Sequence, residues 1–310
     1  MKLGVALPIA GAWATPDNQV RVAQTAEALG YHSVWVFQRL LYALEPRNEY
    51  PPVPGPRWPA AFQRVMDPIV TLSYVAAVTR RVRLGTSVLL VPFYQPAVLG
   101  KMLATLDVLS GGRLDVGLGL GWSEDEYDAV GVPYRRRGAR ADEFIRCLKT
   151  VWTADVVEFD GEFYRVPRSR IEPKPRQRPH PPITVGGYSP VVLRRAVTLG
   201  DGFNGGNMPL GQVAAIVAGL GRAAAEAGRD PRTLSVVARG SFHVFDTSQG
   251  PDRRPLWGSL DEVREDIRRY AEAGLTELFL EPNFQPGGPV LERVLEHMEA
   301  LAPAGAPAGG

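Results

Sequence analysis

Gly186-Gly187-Tyr188-Ser189-Pro190 follows a short apolar run, Ile183–Val185, and opens a helical pattern. At such a junction backbone N–H groups lack intrahelical partners, the helix dipole favours an anion, and glycine permits close approach. The segment is a candidate phosphate cradle, or else an ordinary strand-to-helix turn. Arg39 closes another apolar run, Val34-Trp35-Val36-Phe37-Gln38. Its guanidinium stays protonated, so it cannot serve as a base, but its planar fork meets a carboxylate through two N–H groups. It either fixes an anionic group of a substrate or pairs with a glutamate of the surrounding rim.

Gly117, Gly119 and Gly121 suggest the start of a dinucleotide fingerprint. Trp122 stands where the third glycine is required, and a Rossmann site is excluded. The acidic run Glu124-Asp125-Glu126 comes next and reads as the solvated start of a helix. His32, His180, His243 and His297 have no metal-ligand spacing, so no metal site is expected. His243 follows a strand and is a candidate substrate or proton-transfer residue, whereas His180 reads as structural. No GxSxG motif occurs, and the single cysteine, Cys147, reads as a small core residue.

These residues sit in a repeating pattern. Strands are expected at Leu3–Leu7, Ser33–Val36, Val82–Thr86, Leu114–Leu118, Ile183–Val185, Gly202–Asn204, Leu234–Ala238 and Leu275–Leu280, each followed by a helical pattern. Asp67-Pro68 has the chemistry of a helix start, an N-cap followed by proline at the first helical position. Val156–Tyr164 reads as a hairpin turning at Asp160-Gly161, followed by a proline-rich basic excursion over Arg165–Pro182. Strict alternation to a count of eight predicts an α/β fold, a (β/α)8 barrel with insertions after strands 2 and 4, over one open doubly wound sheet. One domain is expected over 1–301, with an Ala/Pro/Gly-rich tail over 302–310 frayed. Chemistry in such a barrel sits at the C-terminal strand ends. The long insertion after the second strand carries Tyr42, Tyr50, Trp58 and Phe62, which suit a pocket wall or a lid.

The formal net charge of +2 over 310 residues, with both signs mixed, argues against nucleic acid and membrane surfaces as partners. Arg135-Arg136-Arg137 and Arg140 form the densest basic cluster, a solvated helix entry or a contact for a phosphate or acidic tail. No run reaches the roughly 18 apolar residues that span a bilayer, and the start shows no leader pattern. A cytoplasmic protein is expected.

Several ordered segments resemble the luciferase-like monooxygenase superfamily. They are Arg83–Pro92, Gln95–Leu99, Ala104–Arg113, Gly117–Trp122, Glu124–Tyr127 and Pro182–Ser189. The likeness runs from Met1 to about Leu301 and is greatest to the branch using the deazaflavin F420. It implies a barrel oxidoreductase whose cofactor ring rests on a cis Ser87-Val88 peptide. The glycines Gly119 and Gly121 and the neighbouring Trp122 would line the cofactor cleft, with Glu124 and Asp125 close to it. The phosphate would lie at Gly186, Gly187, Tyr188 and Ser189. Gln38 and Arg39 replace an Asp-His pair of that branch, and Trp122 replaces a glutamate of its sugar-phosphate dehydrogenases. Oxidation of an alcohol by that branch's acid/base groups is therefore not expected here.

The leading expectation is F420-dependent hydride transfer with a small organic substrate. Arg39 would hold the substrate, and His243, Tyr94 and Asp125 are the proton-donor candidates. An FMN-dependent monooxygenase, fed by a separate flavin reductase, uses the same barrel. The missing acid/base positions also allow a non-catalytic flavin-binding protein. A homodimer is expected from the resemblance, and a separate flavin or F420 reductase is a possible partner.

Overall fold

In a parallel sheet one face meets helices and the other meets the sheet's own interior, so its strands are apolar or small on both faces. The computed structural model describes residues 1–51, 55, 57–187, 189 and 191–303, and shows that arrangement. Strand segments run β1 (Lys2–Ala6), β2 (Ser33–Val36), β3 (Arg83–Thr86), β4 (Leu89–Leu90), β5 (Leu114–Gly119), β6 (Val157–Asp160) and β7 (Arg165–Ser169). They continue as β8 (Ile183–Gly186), β9 (Gly202–Asn207), β10 (Ser235–Ser241), β11 (His243–Val244), β12 (Trp257–Gly258) and β13 (Glu277–Glu281). β1, β2, β3, β5, β8, β9, β10 and β13 pair in parallel in that order, and β13 returns to β1 to close an eight-stranded barrel. β4 prolongs β3 and pairs with the upper end of β5.

The surrounding helices are α1 (Pro16–Ala28), α2 (Pro68–Val78), α3 (Pro96–Leu109), the short α4 (Glu124–Ala129) and α5 (Arg137–Thr153). They are followed by α6 (Val191–Thr198), α7 (Leu210–Glu226), α8 (Leu260–Glu272) and α9 (Leu291–Ala300). Their starts follow local chemistry. Asp67 Oδ1 accepts from the N–H groups of Ile69 and Val70, each at 2.9 Å, with Pro68 at the first position of α2. Ser259 and Glu262 form a reciprocal capping box on α8. No helix among the described residues is long and apolar enough to cross a membrane.

Trp35 fills the barrel's centre, stacked on Phe279 with ring centroids 5.0 Å apart. A Cβ on Gly85 would lie 2.4 Å from the Trp35 ring, so glycine is what lets the indole turn inward. The indole Nε1 donates to Ser33 Oγ at 2.7 Å and to Glu277 Oε1 at 2.9 Å. Burial pushes the Glu277 carboxyl up, and the hydrogen bonds from Ser33 and Trp35 pull it back.

At the opposite end from the strand C-termini, burial holds the His32 imidazole down from 6.5 to about 4, helped by Lys2 and Arg83 and opposed by Asp115. A folded-state pKa below the unfolded value means that acid favours the unfolded chain. This contribution is complete above pH 6.5 and is lost as pH falls towards 4. His32→Gln is expected to flatten the decline of the thermal midpoint across that window. A slope identical to the parent's would assign the decline to other groups.

Two local expectations are corrected. The hairpin does not turn at Asp160-Gly161 alone. β6 and β7 are joined by the loop 161–164, because Glu143 of α5 accepts from the N–H groups of Glu162, Phe163 and Tyr164 at 2.7–3.0 Å and holds it open. The return strand thus occupies Arg165–Ser169, the start of the expected excursion. After β10, the small parallel pair β11–β12 appears where no strand was expected. Residues 304–310 of the tail lie outside the described residues.

Candidate active site

A cavity of about 290 Å³ opens at the C-terminal ends of the barrel strands. Its floor is the Ser87-Val88 peptide just beyond β3, which is cis. Ser87 is anchored twice, by its N–H to Val36 O at 2.7 Å and by its hydroxyl donating to Asn204 Oδ1 at 2.8 Å. Asn204 is buried on β9, and its amide donates in turn to Thr86 O at 3.4 Å. The Val88 side chain lies between two glycines. A Cβ on Gly119 would stand 2.4 Å from its Cγ2, and one on Gly186 2.9 Å from its Cγ1. The glycines of β5 and β8 therefore make room for Val88.

Gln38 lines the cavity but is engaged in bracing this floor. Its Oε1 accepts from Leu90 N at 2.7 Å, and its Nε2 donates to Tyr94 Oη at 2.5 Å. Burial pushes the Tyr94 phenol up to about 12, so it stays protonated at neutral pH. Tyr94 itself is not among the cavity-lining residues.

One end of the cavity is cationic. Gly187, Ser189 and the start of α6 meet Arg137 and Arg195 there. Arg137 lies 3.9 Å above the Tyr134 ring centroid. Arg195 is paired with Asp142 and donates to Gly138 O at 3.3 Å. Backbone donors, a helix N-terminus and two guanidinium groups together suit a phosphate. Tyr188 and Pro190 lie outside the described residues.

The other end is aromatic, with Phe37, Tyr50, Phe62 and Trp122 on its walls. The insertion after β2 delivers Tyr50 and Phe62. It is tied down by Met66 N to Ile9 O at 2.9 Å and by Asn48 Oδ1, which accepts from Glu124 N at 2.6 Å. Arg39 lies under Trp122, its Cζ 4.8 Å from that ring centroid and 5.7 Å from that of Phe62. Its Nη1 meets Glu126 Oε2 at 2.9 Å, and both side chains are buried. Burial pushes the Glu126 carboxyl up, while Arg39 and the Leu40 N–H hold it down. The guanidinium 2.9 Å away favours the carboxylate form against that burial. Arg239 of β10 enters from the far side, donating to Tyr50 Oη at 3.2 Å, with its Cζ 5.5 Å from the Phe284 ring centroid.

Ser87, Val88, Gly119, Gly121, Trp122, Gly186, Gly187, Ser189, Gln38 and Arg39 thus come together around one cavity. Asp125 and His243 are not among the lining residues. Asp125 faces outward to Arg47, accepting from its N–H at 3.1 Å and its Nε at 3.2 Å. His243 leaves the barrel with β11, its N–H bonded to Leu256 O at 2.9 Å and its ring 4.5 Å from that of Phe245. Burial, then the Arg293 charge, lowers its pKa. Sequence reasoning did not single out Asn204, Arg195 or Arg239. Arg239 carried a signal, a charge on an otherwise apolar strand.

The profile of the luciferase-like monooxygenase family matches residues 1–254. The chain belongs to that family. A relative from Mycobacterium tuberculosis, described as an uncharacterized protein, is 34% identical over 228 residues, covering 73% of this chain and 78% of its own. The FMNH(2)-dependent dimethylsulfone monooxygenase of Pseudomonas putida is 40% identical over 143 residues, 44% of this chain and 39% of that one. Among solved structures, monooxygenase RslO1 from Streptomyces bottropensis superposes with a TM-score of 0.81 at 25% identity, covering 97% of this chain and 98% of its own. An F420-dependent secondary alcohol dehydrogenase shares the fold, with a TM-score of 0.75 at 17% identity, covering 97% and 98% respectively. A luciferase-like barrel with oxidoreductase or monooxygenase relatives is thus the frame for its chemistry.

Proposed function

We propose that this luciferase-like oxidoreductase uses the deazaflavin F420 to move a hydride to or from a small organic substrate. The observation that carries the choice is the cationic end of the cavity. Arg137 and Arg195 line it, and Arg135 adjoins Arg137 at the start of α5, whereas Arg136 is paired with Glu162 and Arg140 lies over the Phe163 ring. FMN ends in a single phosphate, whereas the F420 tail continues past its phosphate as carboxylates, and two separate arginines suit the longer anion.

The cofactor, when bound, supplies the hydride chemistry. Ser87 and Val88 provide the bed for its ring, kept in place by Asn204 and Gln38. Arg137, Arg195, Gly187 and Ser189 would hold its phosphate. Phe37, Tyr50, Phe62 and Trp122 exclude water from the end where substrate meets the ring.

Titration of the purified protein with F420 and with FMN, followed by tryptophan fluorescence, tests the reading. Tighter binding of F420 supports it, and preference for FMN reverses it. Arg195→Ala is expected to weaken F420 binding by about ten- to a hundredfold, the scale of one charge-assisted hydrogen bond of about 1.5–3 kcal/mol. An unchanged dissociation constant would remove Arg195 from the phosphate site.

A second reading, an FMN-dependent monooxygenase supplied by a separate reductase, is favoured by the likeness to the FMNH(2)-dependent monooxygenase of Pseudomonas putida and the monooxygenase of Streptomyces bottropensis. Substrate-dependent oxygen consumption with reduced FMN, absent with reduced F420, would establish it.

A further inference from the structure

A hydride moved onto a substrate needs a proton to go with it. No histidine, cysteine, lysine or carboxylate is among the described residues that line the cavity. Its arginines stay protonated and cannot donate. Four hydroxyls remain. Ser87 donates to Asn204 Oδ1 at 2.8 Å, and Tyr134 donates to Trp122 O at 3.4 Å. Ser189 is exposed at the phosphate end. The fourth is Tyr50, at the aromatic end and only 6% exposed.

The direction of the Tyr50 hydrogen bond is fixed by chemistry. Arg239 Nη2 lies 3.2 Å from Tyr50 Oη, and a guanidinium has no acceptor, so the phenol oxygen accepts. The phenol proton is thereby left for another partner, and it meets no acceptor among the described residues. A buried donor in that state is costly, and a ligand oxygen relieves the cost. Accepting from a cation also makes the hydroxyl a stronger donor. The ring is held by Phe62, edge to face at 5.1 Å, and by Trp122 at 5.5 Å.

We propose that Tyr50 is the proton donor of the reaction and that the substrate presents a carbonyl oxygen to it. This rests on the reading of the cavity as a site of deazaflavin hydride transfer. In the reducing direction the carbonyl carbon accepts the hydride from the reduced deazaflavin. The C=O π bond becomes a C–O single bond, and the oxygen takes the Tyr50 proton. The products are an alcohol, the oxidised deazaflavin and a phenolate, which recovers a proton from solvent. An alkoxide is a far stronger base than a phenolate, so the proton moves downhill. Arg239 is a positioning residue, which aims the phenol and sets a positive charge against the phenolate.

The test is infrared spectroscopy of the protein loaded with oxidised F420, which cannot reduce a ketone, and saturated with acetophenone, isotope-labelled at its carbonyl to isolate the band. A hydrogen bond to that oxygen lowers the stretching frequency. The parent is expected to show a lowered band, and Tyr50→Phe to return it to the frequency of the ketone in an apolar solvent. A fluorinated tyrosine placed at position 50, a stronger acid, is expected to lower the band further, and decides the matter should the Phe variant fail to fold. Arg239→Gln, whose amide oxygen can accept from the phenol, is expected to lose part of the shift, and Arg239→Lys to keep it. An unchanged band in Arg239→Gln would remove Arg239 from its positioning role. With reduced F420, Tyr50→Phe is expected to lower kcat for a ketone by about a hundredfold or more with little change in KM. A parent band at the apolar-solvent frequency overturns the proposal, and so does a shift or a kcat unchanged in Tyr50→Phe. If F420 binds and acetophenone does not, the donor and substrate assignment falls and the cofactor reading stands. If F420 does not bind, the same spectra of the cofactor-free protein still decide whether Tyr50 holds a carbonyl, and the cofactor reading falls alone.

Discussion

Glu126→Leu is expected to lower the free energy of unfolding by about 3–5 kcal/mol, the cost of stranding one member of a buried ion pair. Arg39, beneath Trp122 and Phe62, would then lose the buried carboxylate 2.9 Å from its Nη1. Replacing both partners by apolar residues, Arg39→Met with Glu126→Leu, removes the stranded charge and should restore most of the loss. A residue of about 1–2 kcal/mol should remain, because the Leu40 N–H also loses its acceptor. Urea denaturation of the two single variants and the double variant measures this directly. Equal destabilisation in the Glu126→Leu single and the double variant would mean that the Arg39 charge is not the source of the loss.

Trp35→Ala is expected to cost about 3–5 kcal/mol, the range for emptying a large aromatic site in a core. In a chain of this size the thermal midpoint would fall on the order of 5–10 °C. The sharper signature is a reversal of sign at a neighbour. Gly85→Ala places a Cβ 2.4 Å from the indole in the parent protein and should be destabilising there. In the Trp35→Ala background the same methyl enters vacated space and should be neutral or stabilising. Additive losses in the double variant would contradict the packing described for the barrel's centre.

The barrel was legible because its signal is local and repeated. Short apolar runs, Asp67-Pro68 and the helical spacing each act within a few residues, and eight repeats leave few topologies. The hairpin was misread because its turn is set by Glu143, a residue of the preceding helix. The floor of the site followed from segment order through the family resemblance, and Ser87, Val88, Gly119 and Gly186 do meet there. Arg39 was legible as a residue of the site, and its pairing with a rim glutamate was one of two readings. Its actual partner is Glu126, 87 positions away, and no local pattern reports a pairing over that distance. His243 and Asp125 show the limit of reasoning from strand ends. Whether a residue just past a strand turns inward depends on where the chain goes next. The β11–β12 pair draws His243 aside, and Arg47 holds Asp125 outside. Arg195 and Asn204 enter the cavity because of how a helix and a strand are rotated, which composition does not encode.

Val88, held between Gly119 and Gly186, has a consequence for how such sequences drift. Three positions share one fixed volume, filled by the Val88 side chain alone, so they are not free to vary singly. A chain that acquires alanine at 119 must first, or at once, lose a methyl at 88, whereas alanine at 186 also meets the Asn204 carbonyl at 3.0 Å. Variation across these three positions is therefore expected to be anticorrelated in size, and a saturation library at Gly119 should yield functional clones chiefly when position 88 is shortened to alanine or glycine.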